Sequence, residues 1–220
     1  MTATEKGYRG PGMEGFVARW YASLTSKSMD EFKALARRVA QDLPPRAEVL
    51  EVAPGPGFFA IELAKLGAYR IEGLDISKTF VEIATENARH AGVNVGFHEG
   101  DAAIMPFSDG SFDFLLCRAA FKNFAKPVDA LREMYRVLKP GGRALIIDLR
   151  KDAPPGSVTQ AVDEMHLGVV DALITRIIFR STLLKRAYTK RGFEVLLLQT
   201  DFARYEIEES LMGLELTLYR

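Results

Sequence analysis

Apolar residues recur at helical spacing early in the chain, after a polar stretch at 1–12 that is punctuated by glycines. The runs at 14–27 and 32–39 place apolar side chains three or four residues apart, which is typical of amphipathic helices. Pro44-Pro45 ends this pattern, because proline cannot continue a helix. Two helices are therefore predicted ahead of the main fold. The stretch 1–12 is expected to be disordered, or ordered only by a ligand or partner.

After the double proline, short β-rich runs alternate with segments that have the apolar spacing of helices. Alternation of this kind predicts a parallel sheet with helices on both faces. The predicted strands are 49–53, 69–75, 93–99, 112–117 and 143–149, and the helices between them are 59–66, 77–91 and 127–138.

The last third of the chain departs from this alternation. Residues 151–192 form a loop and a helical segment whose apolar stripe runs over 162–178. Two more strands are predicted at 193–200 and 211–219, and the short connection between them favours antiparallel pairing. The expected fold class is α/β: a Rossmann-like doubly wound, mostly parallel seven-stranded sheet with an antiparallel last strand, two N-terminal helices and a helical insertion after the fifth strand.

Composition and charge exclude several classes of protein. Lys plus Arg and Asp plus Glu both number 29, so no net field attracts nucleic acid or an anionic membrane. Cys117 is the one cysteine, and no apolar run has the length of a membrane span, so a cytoplasmic protein without a membrane span is expected. Basic residues cluster between Arg176 and Arg191. The simpler interpretation is a solvated helix face, and the alternative interpretation is a surface that binds an anionic substrate or RNA.

A turn rich in glycine and proline, EVAPGPG at 51–57, connects the first predicted strand to the helix that follows it. Glycines at such a position let the backbone approach a ligand closely, and the free amides of the following helix can bind nucleotide groups. Taken alone, the turn could serve only to reverse the chain direction.

Acidic residues follow each of the first three predicted strands. Glu51 ends the first strand and Asp75 ends the second, 20 residues after Gly55, the spacing at which a carboxylate can accept hydrogen bonds from ribose hydroxyls. Asp101 follows the third strand. Any one of them could be a solvated loop residue or a helix cap. Together they are expected to converge on the ligand-binding edge of the sheet.

Two kinds of ligand compete for this edge. The segment GPGFFA at 55–60 also has the glycine spacing of dinucleotide binding, so an NAD-dependent oxidoreductase is the alternative hypothesis. A pyrophosphate would be repelled by the neighbouring Glu51, whereas a cationic sulfonium ligand would be attracted to it. A cofactor-binding protein without transferase activity is the third hypothesis.

Four segments resemble motifs of the class I S-adenosylmethionine-dependent methyltransferases, in particular the ubiquinone/menaquinone C-methyltransferase-like small-molecule branch. They are VLEVAPGPGFFAIELA, GLDIS, GDAAIMPFSDGSFDFLLCRAAFKNF and LKPGGRALIIDL, within 46–149. The resemblance implies methyl transfer from S-adenosyl-L-methionine, with S-adenosyl-L-homocysteine as the product. It also implies one methyltransferase domain over 1–220, with an N-terminal helical segment (1–43), a cofactor-binding core (46–150), a helical substrate cap (151–192) and C-terminal strands (193–220).

The resemblance also assigns cofactor contacts. The chain departs from the family by having Ala53 where glycine is usual, and prolines on both sides of Gly55, which stiffen the turn. The implied cofactor-binding residues are Glu51, Ala53, Gly55, Gly57 and Arg118 at the methionine end, Asp75 at the ribose, and Ile76, Asp101 and Ala102 at the adenine. Tyr21 is a further candidate for a cofactor contact, separate from the motifs.

Methyl transfer from a sulfonium is an in-line displacement, which positioning in a dry site can promote without a general base. The catalytic residue is therefore left unknown, with His166, Tyr21 and Tyr188 as candidates. No metal is expected, and a homodimer is allowed. The apolar stripe predicts a small hydrophobic or aromatic acceptor. The candidate substrate-binding residues are Trp20, Phe121, Met165 and His166.

Overall fold

A computed structural model describes residues 7–9, 12–164 and 182–220 of the chain. Two short 3₁₀ turns, Ser26–Ser28 and Phe121–Asn123, connect neighbouring elements of the chain. The helices are α1 (Gly15–Thr25), α2 (Met29–Ala40), α3 (Phe58–Ala64), α4 (Lys78–Ala91), α5 (Pro127–Val137), α6 (Ser157–Glu164), α7 (Leu184–Arg186) and α8 (Lys190–Leu197), and the strands are β1 (Glu48–Val52), β2 (Arg70–Asp75), β3 (Gly96–Glu99), β4 (Phe112–Arg118), β5 (Leu138–Leu149), β6 (Arg204–Glu209) and β7 (Gly213–Tyr219).

The seven strands form one sheet in the order β3-β2-β1-β4-β5-β7-β6. All pairings from β3 through β5 are parallel, and β7 runs antiparallel to both β5 and β6. In the centre of the sheet, Glu51 of β1 lies beside Gly73 of β2 and Leu116 of β4. The predicted fold class is confirmed, including the antiparallel last strand.

Helices bury both faces of this sheet. Successive residues of a strand point to opposite faces, so Leu50 contributes to the core beside α5 and α8, whereas Val49 contributes to the core beside α2 and α3. The two N-terminal helices are found where they were predicted. Ser77 caps α4, its Oγ accepting a hydrogen bond from the N–H of Phe80 at 3.1 Å.

The tail was predicted incorrectly in one respect. The apolar run at 193–200 is not a strand, because α8 covers most of it and buries Phe193 and Leu197, which lie four residues apart on one helix face. The sixth strand is instead the acidic segment Arg204–Glu209. This strand lies at the sheet edge, where solvent covers its outward side chains and charged residues discourage pairing with other chains.

Two further expectations concern segments outside the sheet. The stripe over 162–178 falls mostly on residues outside those described, which resume at 182. Among the described helices, none is long and apolar enough to cross a membrane.

Candidate cofactor site

The carboxyl ends of five neighbouring strands meet along one edge of the sheet. Chain connections run from β1 to one side through β2 and β3, and to the other side through β4 and β5. In a doubly wound sheet, ligands bind in the crevice at the point where the strand order reverses. That point lies between β1 and β4, directly above the glycine turn at 53–57.

The glycine turn leaves open space at one glycine and packs tightly at the other. Ala53, Gly55 and Gly57 all have positive φ, of 57°, 55° and 77°. A methyl group on Gly57 would lie 2.7 Å from Cζ of Phe97, so this glycine permits close packing. A methyl group on Gly55 would meet no atom within 4 Å. The backbone at Gly55 therefore borders a space that a ligand can fill.

Glu51 places a buried carboxylate next to this turn. The residue is 3% exposed, and in the described part of the chain the N–H of Ala60 is the one donor within hydrogen-bonding distance, 3.1 Å from Oε2. Burial raises the pKa of Glu51 to about 8, although the hydrogen bond from Ala60 and the positive charge of Arg118 oppose the rise. A cationic ligand group would supply the missing compensation.

Asp75 connects the glycine turn to the end of β2. Its Oδ2 accepts a hydrogen bond from the N–H of Gly55, and its Oδ1 accepts one from the N–H of Ser77, both at 2.9 Å. Burial nevertheless raises the pKa of Asp75 to about 6. The carboxylate thus fixes the shape of the turn and the start of α4 at the position where the sequence predicted a ribose contact.

Asp101 and Ile76 lie next to each other beyond β3 and β2. Oδ1 of Asp101 accepts a hydrogen bond from the N–H of Ala103 at 2.9 Å. A methyl group built on Gly7 would lie 2.5 Å from Oδ2 of Asp101 and 2.6 Å from Cδ1 of Ile76. The structure therefore orders part of the N-terminal stretch against the two residues assigned to adenine. Ala102 follows as a half-buried residue of the same loop.

The two N-terminal helices supply the opposite side of the site. Nη2 of Arg118 lies 2.8 Å from Oε2 of Glu31, and its guanidinium lies 4.6 Å from the ring centroid of Phe32. The ring of Tyr21 meets Phe80 edge-on with centroids 5.9 Å apart. Burial raises the pKa of the Tyr21 phenol, and the charges that act on it include those of Arg118 and Asp75.

Several predicted substrate residues are not brought together. Phe121 is 0% exposed and packs against Phe193, Phe124 and Tyr188, so its ring belongs to the core and does not line an open site in this conformation. Trp20 is 53% exposed. Met165 and His166 lie outside the described residues.

Sequence reasoning missed a buried ion pair at the end of β5. Nζ of Lys122 lies 2.8 Å from Oδ1 of Asp148, whose Oδ2 accepts a hydrogen bond from the N–H of Lys122 at 2.8 Å. Asp148 follows an apolar strand run, which is the same signal that identified Asp75. Within the described ranges, no cluster of His, Cys, Asp and Glu side chains could hold a metal ion.

Fold and site together define a class of protein. Parallel dinucleotide-binding sheets have the order 3-2-1-4-5-6, whereas this sheet inserts an antiparallel strand before its last position. That order, a glycine turn after β1 and acidic residues at or just beyond the carboxyl ends of β1, β2 and β3 characterise the class I methyltransferase fold.

Comparison with known proteins agrees with this class. Residues 50–146 match the family described as "Methyltransferase domain". Demethylmenaquinone methyltransferase of Deinococcus radiodurans is 40% identical over 110 residues, which are 50% of this chain and 44% of the relative. The structure of a protein from Bacillus halodurans, described as a proposed methyltransferase, superposes with a TM-score of 0.59 and 30% sequence identity. The match covers 80% of this chain and 70% of the Bacillus chain.

A structure from Methanococcus maripaludis, proposed to be an S-adenosyl-L-methionine-dependent methyltransferase, shares the fold over 96% of this chain and 95% of its own, with a TM-score of 0.74 and 21% identity. The chain belongs to the S-adenosylmethionine-dependent methyltransferase family. It spans less than half the length of the Deinococcus relative.

Proposed function

We propose that this protein transfers a methyl group from S-adenosyl-L-methionine to a small hydrophobic ring, with a quinone-type compound as the first acceptor to test. The name of the Deinococcus relative, demethylmenaquinone methyltransferase, supports this choice of acceptor. The predicted apolar character of the insertion supports a hydrophobic acceptor independently.

The observation that carries the proposal is the buried Glu51 carboxylate beside the open space at Gly55. The carboxylate is buried with one hydrogen bond from Ala60, and burial raises its pKa to about 8, so a cationic ligand group beside it would stabilise its ionised form. S-adenosyl-L-methionine has a cationic amino group and a cationic sulfonium, so its methionine end would pair with the Glu51 carboxylate. Asp75 and Asp101 would then hold the ribose and the adenine, as the family resemblance implies.

When bound, this cofactor supplies a methyl group on a positively charged sulfur, which is a good leaving group. The chain itself has to position the acceptor and exclude water. Burial raises the pKa of both Tyr21 and Tyr188, so these phenols stay protonated near neutral pH. They can donate hydrogen bonds to an acceptor oxygen, and they are poorly suited to act as general bases.

Calorimetric titration with S-adenosyl-L-homocysteine and with NAD tests the cofactor. Binding of the first ligand alone is expected. The Glu51→Gln variant should weaken that binding at least tenfold, since a charge-assisted hydrogen bond contributes about 1.5–3 kcal/mol. Glu62→Gln is the matched control, because Glu62 lies on α3 in an ion pair with Lys65. Binding of NAD alone would instead favour the oxidoreductase hypothesis.

Transfer of a labelled methyl group from the cofactor to a panel of demethylated quinols and simpler phenols tests the reaction. We expect label in the quinol or phenol fraction. Tight binding of S-adenosyl-L-homocysteine without transfer to any panel member would favour a cofactor-binding protein that has lost transferase activity.

A further inference from the structure

Two described stretches of the chain before α1 lie on either side of the cofactor site, and each of them is anchored to the fold. We call Gly7–Arg9 and Gly12–Glu14 the strap. At its second stretch, the Glu14 carboxylate accepts hydrogen bonds from the N–H groups of Lys78 and Thr79, both at 3.1 Å. Oγ of Ser77 donates to the carbonyl oxygen of Met13 at 2.6 Å. This end of the strap is therefore fixed to the first turn of α4.

The first stretch of the strap is fixed to the loop that follows β4. The N–H of Arg9 donates to the carbonyl oxygen of Asn123 at 2.6 Å, and the N–H of Ala125 donates to the carbonyl oxygen of Gly7 at 3.1 Å. Between them, Tyr8 forms an isolated antiparallel bridge with Phe124. Since α4 follows β2 and this loop follows β4, the two anchors lie on either side of β1 and its glycine turn.

The strap approaches the adenine end of the proposed site so closely that it needs a glycine. Gly7 has a φ of +66°, and a methyl group there would lie 2.5 Å from Oδ2 of Asp101. Contacts under 3 Å require a neighbour to move, and the hydrogen bond from Ala103 holds the Asp101 carboxylate in place. Tyr8 is half-buried beside Gly7, and the charges that act on its phenol include that of Asp75.

We propose that the strap is a clamp that closes over the adenine end of the bound cofactor, and that the Gly7–Arg9 stretch must separate from the loop after β4 each time the cofactor enters or leaves. This inference rests on the proposed function. The Gly7–Arg9 stretch is the end that opens, because none of its bonds involves a carboxylate: two main-chain hydrogen bonds, a long bond of 3.4 Å from Nη2 of Arg9 to the carbonyl oxygen of Ala125, and a bond between the Arg9 side chain and the Tyr188 phenol. The other end is held more firmly, because the Glu14 carboxylate accepts hydrogen bonds from two amides and the Ser77 hydroxyl donates a further one to Met13.

Dissociation of S-adenosyl-L-homocysteine, followed by stopped-flow mixing, tests the clamp on the full chain. Gly7→Ala should raise the dissociation rate about tenfold, because overpacking prevents full closure. Gly92→Ala is the matched control: Gly92 has a φ of +68°, no atom lies within 4 Å of the added methyl group, and the residue ends α4 away from the site. Equal rates for the two variants would overturn the clamp.

Amide hydrogen exchange of the unmodified protein gives a second, independent result. Addition of S-adenosyl-L-homocysteine should increase protection at the N–H groups of Arg9 and Ala125, which form the closing hydrogen bonds. Decreased protection there would mean that the ligand displaces the strap, and it would overturn the clamp while leaving the proposed function intact. A wild-type protein that binds no S-adenosyl-L-homocysteine would overturn both.

Discussion

The buried Glu51 carboxylate should make the ligand-free protein less stable as the pH rises. Its pKa is about 8 in the folded protein, against 4.5 for an ordinary glutamate. Between these two values, the folded state retains a proton that the unfolded chain has released. The free energy of unfolding must therefore fall with increasing pH across this window.

The magnitude follows from the two pKa values. At about 1.4 kcal/mol per pH unit, the change from pH 4.5 to 7 removes roughly 3 kcal/mol of stability. Replacing Glu51 by glutamine removes the titration and keeps an oxygen that can accept the hydrogen bond from Ala60. Relative to wild type, the Glu51→Gln variant should gain little stability near pH 4.5 and roughly 3 kcal/mol at pH 7.

Urea denaturation of both proteins at several pH values between 4.5 and 8 measures this difference directly. Glu82→Gln, at an exposed glutamate of α4, serves as the control for removing a surface charge. S-adenosyl-L-homocysteine should reduce the advantage of Glu51→Gln, because its ammonium group pairs with the ionised carboxylate. Parallel stability curves for wild type and Glu51→Gln across the whole range would refute this account of Glu51.

Four further variants test the glycine turn and the buried ion pair. Gly57→Ala should lower the free energy of unfolding by about 2 kcal/mol or more, because the added methyl group overpacks against Phe97. Gly55→Ala should lower it by about 1 kcal/mol but weaken S-adenosyl-L-homocysteine binding more than Gly57→Ala does. Urea denaturation measures the loss of stability, and calorimetry measures the loss of binding. Lys122→Met should cost about 3–5 kcal/mol in urea denaturation, because it leaves Asp148 buried without its cation. Ala53→Gly should raise stability by about 1 kcal/mol in the same assay, because Ala53 has a φ of 57°.

The sequence predicted those parts of the molecule that depend on local pattern. Apolar periodicity and turn residues located six of the seven strands and most helices, and the topology rule for doubly wound sheets placed the ends of the first five on one edge. The run at 193–200 was misassigned because a short apolar run is equally compatible with a buried helix face. Edge strand Arg204–Glu209 has only two apolar residues, Tyr205 and Ile207, among exposed charged ones, so its apolar pattern is too weak to identify a strand.

Other features depend on contacts between distant segments, which no local pattern encodes. Arg9 and Asn123 are joined through main-chain atoms, so side-chain identity gives no signal of that contact. Lys122 and Asp148 are 26 positions apart and could be paired only once β4 and β5 were known to be neighbours. The same limit applies to Glu31, whose bond to Arg118 depends on how α2 packs over the sheet.

The strap and the buried carboxylates have complementary consequences for a cofactor enzyme. Closing the strap would remove water from the edge of the sheet, which strengthens every charge interaction beneath it. Burial also raises the pKa of Glu51 and of Asp75 while no ligand is bound, so keeping these buried carboxyl groups ionised lowers the stability of the ligand-free protein. A cationic ligand lowers that cost at Glu51, and closure increases the gain, because the attraction between the ligand and the carboxylate grows as solvent is excluded. Closure and cation binding should therefore favour each other, as two events that share one buried charge.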